Sequence, residues 1–322
     1  MLFAYVPSGT TLEQIAIETG EVPAAAVWID LVNPTLPEDR KVETLVGVAI
    51  PTREEMQEIE ISSRLYVESG ARYMTATLMC QSDSPQPKTT PVTFILAGGR
   101  LITVRYDEPK PFVIARNRLA KHCPATVSGE SVMIDIMDAV IDRTADILER
   151  IAVEIDTVSH NVFERGRSRS PKFYNVILQT IGRKGDLTSK VRESLVSIGR
   201  LLLFLANEAE GLRWAKDQKA QIKSMHRDVQ SLSDHATFLS NSMTFLLDAM
   251  VGLVTIEQNN IIKIFSVVAV VLMPPTLIAS IYGMNFRHMP ELEWILGYPL
   301  ALVLMVVAAI LPFLYFKWRK WL

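Results

Sequence analysis

Two stretches near the C-terminus constrain this chain more than any other feature. From Ile264 to Phe286 no charged residue occurs over about 23 positions, and from Ile295 to Phe316 none occurs over about 22. A helix rises about 1.5 Å per residue, so each run can cross a hydrocarbon core about 30 Å thick. The runs predict two membrane helices rather than the buried hairpin of a soluble protein, whose helices rarely stay uncharged for so long. Trp294 and Tyr298 at one end, and Tyr315, Trp318 and Trp321 at the other, suit interfacial aromatic belts. Lys317, Arg319 and Lys320 follow the second run, whereas the short connection holds Arg287 against Glu291 and Glu293. This bias places the tail in the cytoplasm. Two crossings return the chain to its starting side, so residues 1–262 are expected to be cytoplasmic as well, with the loop at 287–294 outside.

The rest of the chain has the composition of a solvated body. It carries 35 acidic and 33 basic residues, and the formal charge of -2 offers no basis for a nucleic-acid partner. Cys80 and Cys123 form no CxxC or zinc-spaced cluster, which fits a reducing compartment. The opening MLFAYVPSGTTLEQ has neither a basic region nor an apolar core of signal-peptide length, so no export of this part is expected.

Residues 1–128 alternate strand-like and helical runs, with strands expected in 26–32, 71–80 and 92–106. Gly98-Gly99 marks a hairpin turn, and Thr52 to Glu55 reads as a capping box. After Ser128 the β signal disappears. Helices are expected over roughly 130–165, 171–208 and 212–282, broken at Gly166-Arg-Ser and at Glu208 to Gly211. The last, about 71 residues, would be a rod of roughly 105 Å that needs neighbours along its length, as in a bundle of subunits. The expected class is thus an α+β membrane protein. Its segments are an α/β domain (1–128), a helical stalk (129–262), membrane helices at 263–286 and 295–316, the 287–294 loop and a basic tail at 317–322.

Read in heptads, the rod aligns Asp234, Asn241, Asp248, Thr255, Ile262, Ala269, Thr276 and Gly283, with a companion line at Asn259, Ser266, Met273 and Ser280. Only Ile262 and Met273 are bulky and apolar. Such a stripe is unsuited to lipid and unusual for a dry seam, and it reads as a pore lining; the other reading is a solvated face continued by small-residue helix packing. Pro274-Pro275 removes two backbone donors, which is tolerated beside other helices or water, and predicts a kink.

At the outer end stand Tyr282-Gly283-Met284-Asn285-Phe286 and Met289-Pro290-Glu291-Leu292. Here the chain resembles the CorA family of magnesium channels, whose signature is the Gly-Met-Asn triplet at the end of the first of two C-terminal membrane helices. The likeness extends to Glu257–Lys263, to Pro274-Pro275 and to the Trp28-Ile-Asp-Leu run. It implies a homopentameric funnel in the inner membrane with both termini cytoplasmic, the first membrane helix of each subunit lining the pore. Tyr282, Gly283, Met284 and Asn285 would form the selectivity mouth, with Asn285 and Gly283 meeting hydrated Mg²⁺. Met273 and Thr276 would line the pore, Ile262 and Phe265 the hydrophobic constriction, and Asn259 and Asp248 the cytosolic end. Mg²⁺ is implied both as cargo and as the regulatory ion, with Asp228, Asp234 and Asp248 as regulatory candidates and Co²⁺ or Ni²⁺ as further cargo. Neutral carbonyl oxygens suit an ion that keeps its waters, because they hold it without trapping it.

Relatives commonly carry an acid where this chain has Arg287, and Glu291 and Glu293 offset that charge. No P-loop, HExxH or GxSxG occurs, and the five histidines are scattered, so an enzyme is not expected. The remaining alternatives are a zinc transporter of the same superfamily, against which Met284 argues, and a membrane-anchored sensor or scaffold.

Overall fold

The computed structural model describes residues 1–18, 20–121, 127–164, 171–211, 214–284, 289–290 and 294–319. The chain divides into two compact units, Met1–Leu246 and Leu247–Leu322.

The first unit opens with strands β1 (Leu2–Ser8), β2 (Thr11–Ala16) and β3 (Trp28–Val32), followed by helices α1 (Leu36–Val46), α2 (Arg53–Met56) and α3 (Ile61–Arg64). Strands β4 (Leu65–Glu68), β5 (Ala71–Cys80), β6 (Lys88–Ala97) and β7 (Arg100–Arg105) come next, then α4 (Lys110–Lys121), α5 (Gly129–Phe163), α6 (Pro171–Gly211) and α7 (Lys216–Tyr282). Among the described residues the seven strands form one sheet in the order β2-β1-β3-β7-β6-β5-β4, in which only β3 and β7 run parallel. β5 to β7 are buried almost continuously, as expected of strands covered on both faces. One face carries Leu2, Ile29, Leu31, Ile95 and Ile102 with Val42 of α1 and Met56 of α2. On the other, Trp28 stacks on Tyr5 with ring centroids 4.0 Å apart, and Phe112 of α4 lies beside Phe94.

Local sequence explains the joints. Thr52 and Glu55 form the expected capping box, and Gly98 and Gly99 take φ 57° and 76° in the β6–β7 turn, where a side chain would be strained. Ser128 and Ser131 cap α5 reciprocally. Gly129 then lies so close to the Arg100–Leu101 backbone that a Cβ could not fit. α6 meets β5, with Arg72 and Glu208 paired at 3.1 Å.

Three sequence readings need correction. The expected break at Glu208 to Gly211 is helical, because Glu208 is held by Arg72 and the Ala-Glu run favours helix, so α6 continues to Gly211. The β1–β2 hairpin was not anticipated; Pro7 and Gly9 disguise it, and the Ser8–Thr11 turn with Gly9 at φ 63° makes it. α7 starts at Lys216 rather than at 212. The expected break at Gly166-Arg-Ser lies outside the described residues.

In the second unit α7 is helical through Pro274 and Pro275 to Tyr282, and α8 (Gly297–Trp318) contains Pro312. α8 has no buried residue. Such an apolar surface suits a lipid environment.

Candidate functional site: one face of the long helix

Within the first unit, α7 buries Ile222, Met225, Val229, Ala236, Leu239, Met243 and Leu246, which with half-buried Leu232 step alternately by three and four and make one apolar seam. Val229 and Met243 lie against Gly199 and Gly185 of α6, the glycines being spaced along α6 as their partners are along α7. The absent side chains admit close helix approach there. Asp234 and Asn241 fall on the side away from this seam and are exposed. Asp228 sits on the seam's flank, also exposed.

In the second unit the same heptad phase continues through Asp248, Thr255, Ile262, Ala269, Thr276 and Gly283, with Asn259, Ser266, Met273 and Ser280 on the companion line. Every one of these is exposed. Ile262 is 62% and Met273 68% exposed, and Phe265, beside the stripe, is 71% exposed. Val267, off the stripe, is buried at 4%, whereas Ile264, Val268 and Leu272, also off it, are 59%, 47% and 57% exposed. The sequence-derived lining is therefore a surface that one subunit leaves uncovered.

The chemistry of that surface is mostly acceptor chemistry. The Thr276 hydroxyl donates to the Leu272 carbonyl at 2.8 Å and that of Thr255 to the Val251 carbonyl at 2.9 Å. With its proton spent on the helix, each hydroxyl turns oxygen lone pairs outward, which suits the hydrogens of water around a cation. Pro274 and Pro275 add to this, since their missing N–H groups free the carbonyls of Val270 and Val271 from the helical ladder.

At the helix end, the Gly283 N–H donates to Ala279 O at 2.9 Å and that of Met284 to Ile281 O at 3.2 Å. Gly283 does not adopt the left-handed conformation of a glycine helix cap, so capping does not explain its identity. A Cβ there would lie 3.1 Å from Ala279 O. Tyr282 and Gly283 line a cavity of about 360 Å³ with Trp294, Gly297 and Tyr298. Met284 is 49% exposed. Asn285, Arg287, His288, Glu291 and Glu293 lie outside the described residues.

Among the described residues, Asp228, Asp234 and Asp248 make no ion pair, and no three His, Cys, Asp or Glu side chains gather as a metal site. Asp83 behaves differently, and the sequence did not reveal how. Lys110, Arg143 (2.8 Å) and Arg150 (2.6 Å) all pair with it. The Lys110 hydrogen bond first, then the two arginines, pull its carboxyl down to about 2 despite partial desolvation. Three cations on one carboxylate leave it poorly suited to bind a further cation.

A family model described as CorA-like Mg2+ transporter protein matches residues 23–318. The magnesium transport protein CorA of Pectobacterium atrosepticum is 34% identical over 322 residues, covering 100% of both chains. That of Escherichia coli strain K12 is also 34% identical over 322 residues, again 100% of both. The complete structure of the CorA magnesium transporter from Methanocaldococcus jannaschii superposes with a TM-score of 0.78 at 19% identity, over 100% of this chain and 99% of that one. The last comparison establishes the fold, with its N-terminal α/β domain, long helix and two apolar C-terminal helices. The matches along the full length show that the chain belongs to the CorA family of membrane ion transporters, and is not an enzyme.

Proposed function

We propose that the chain is one subunit of a homopentameric channel that lets Mg²⁺ into the cytoplasm passively. Its membrane segments are 263–286 and 295–316, in the inner membrane, with both termini cytoplasmic. The observation that carries the reading is the α7 stripe. Apart from Ile262 and Met273, polar, small and acceptor-bearing residues occupy two neighbouring heptad lines, and all of them are exposed in the single subunit. Copies of α7 around an axis would cover that face and turn it into a lumen.

Asn285 and Gly283 then form the outer mouth with Tyr282 and Met284, Thr276 and Met273 line the passage, and Ile262 and Phe265 form an apolar constriction that gates by dewetting. Asn259 and Asp248 ring the inner end. Two charges crossing an inside-negative potential gain roughly 4.6 kcal/mol per 100 mV, so no energy-coupling site is required. Internal Mg²⁺ closes the channel by neutralising acids between subunits, Asp228 being the best placed on its flank and Asp234 a further candidate. One subunit alone assembles no carboxylate site among the described residues.

The test is flux into liposomes that contain only the purified protein, with Mg²⁺, Zn²⁺, Co²⁺ and Ni²⁺ compared at a set potential. Mg²⁺ should enter, and Asn285→Ala should abolish entry while the assembly keeps its size. Normal flux in an intact Asn285→Ala assembly would remove the proposed mouth. Preference for Zn²⁺ would favour the zinc branch of the superfamily, and no flux of any ion a sensor or scaffold.

A further inference from the structure

A groove in the first unit, remote in sequence from the α7 stripe, has chemistry that cation transport does not use. It lies between the β4–β5 edge of the sheet and α6 and encloses about 560 Å³, within the range of small-molecule sites. Its floor is made by Thr75 and Thr77, whose polar groups are already engaged. Thr75 Oγ1 is 2.8 Å from Thr93 Oγ1, the Thr77 N–H donates to Ser197 Oγ at 2.9 Å, and Thr77 Oγ1 accepts from Arg64 Nη1 at 3.0 Å. The floor hydroxyl oxygens and the Thr77 N–H are thus already tied to neighbouring groups.

What the groove holds in excess is guanidinium. Arg64, Arg192 and Arg200 all line it, against the single carboxylate of Glu193. Arg64 is half-buried; its Nε donates to the Glu58 carbonyl, and its Nη2 has no partner among the described residues. Burial pushes the Arg64 pKa down, Glu193 opposes that push and Arg200 adds to it, so the charge of Arg200 reaches Arg64 across the groove. An anion between them would relieve both costs. Among the described residues neither Arg192 nor Arg200 is held in an ion pair. Ile61 and Val196, 52% and 44% exposed, add an apolar wall beside these charges.

Planar guanidinium forks match the oxygens of a phosphate, and an adjoining apolar wall favours a ligand that carries more than the phosphate. We propose that this groove binds a small organic phosphate, with the phosphate on Arg64 and Arg200 and the apolar body against Ile61 and Val196.

The test is calorimetric titration of the full-length protein in detergent with adenosine monophosphate, adenosine and inorganic phosphate. EDTA is present throughout, so that chelation of Mg²⁺ by the nucleotide cannot mimic binding. Adenosine monophosphate should bind saturably, and adenosine and inorganic phosphate at least tenfold more weakly. Arg200→Glu, at an exposed side chain that holds no part of the fold together, should weaken the nucleotide at least tenfold with an unchanged melting midpoint. Lys172→Glu, an equal charge reversal at another exposed position on α6, should leave it unchanged. Three outcomes overturn the proposal: no saturable nucleotide binding, equal binding by folded Arg200→Glu, or inorganic phosphate binding as tightly as the nucleotide.

Discussion

Asp30→Asn probes how the sheet carries a charge at its centre. Asp30 is 1% exposed and accepts from Thr103 Oγ1 at 2.7 Å, Arg105 Nε at 3.1 Å and Arg105 Nη2 at 2.9 Å. Trp28 Nε1 donates to the same Thr103 hydroxyl at 2.9 Å, so the network ties β3 to β7, the sheet's one parallel pair. Asparagine keeps the shape and an acceptor for Thr103 but leaves Arg105, 2% exposed, without its counter-charge. Breaking one side of a buried pair costs about 3–5 kcal/mol. Arg105 keeps a bond to the Asp107 carbonyl at 3.0 Å and lies 4.8 Å from the Phe112 ring centroid, which holds the expected loss to about 3 kcal/mol. Adding Arg105→Met removes the orphaned charge and should bring the double variant back to within about 1.5 kcal/mol of the parent. Urea unfolding of the full-length protein in detergent, followed by circular dichroism and by fluorescence of the buried Trp28, measures both. A loss under about 1 kcal/mol for Asp30→Asn, or a double variant no better than the single, would refute the reasoning.

Other outcomes are equally specific. Ile262→Ser with Phe265→Ser should leak Mg²⁺ in liposomes at high internal Mg²⁺, where the parent stays closed; equal flux would move the gate elsewhere. Asp228→Asn should weaken inhibition by internal Mg²⁺ and Asp248→Asn should lower conductance, so unchanged inhibition in the first or unchanged conductance in the second removes that residue from its role. Burial, followed by Glu43 and Glu38, raises Asp39 to about 6 from an ordinary 3.8. A raised folded value means that its contribution is fully present below about pH 3.8 and is lost as pH rises through about 6. Asp39→Asn should therefore stabilise the protein at pH 7.5 by about 1 kcal/mol, after discounting for solvent exposure, with little effect near pH 4; melts at the two pH values check this.

Much of the candidate site was legible because it is periodic. The uncharged runs needed only a count, and the α7 stripe only a heptad phase; both belong to a single continuous helix, where position along the sequence sets the face. The capping box at Thr52 and Glu55 and the Gly98-Gly99 turn were legible for a related reason, since each rests on a few adjacent residues. The β1–β2 hairpin was missed, because Pro7 and Gly9 interrupt the alternation that marks a strand.

By itself the sequence determined where the chain turns apolar, which face of α7 is polar, and which family signature ends it, since these follow from local composition and spacing. Tertiary structure alone decided the rest. Asp83 meets Lys110, Arg143 and Arg150 only because the β5–β6 turn, α4 and α5 converge. Asp30 finds Arg105 across a parallel pairing, and Arg64 shares a groove with Arg200 only once α6 lies along β5. Those partners are far apart in the chain, so no periodicity records them. Their charges acquire definite roles only where folding has removed water and brought them within a few ångströms.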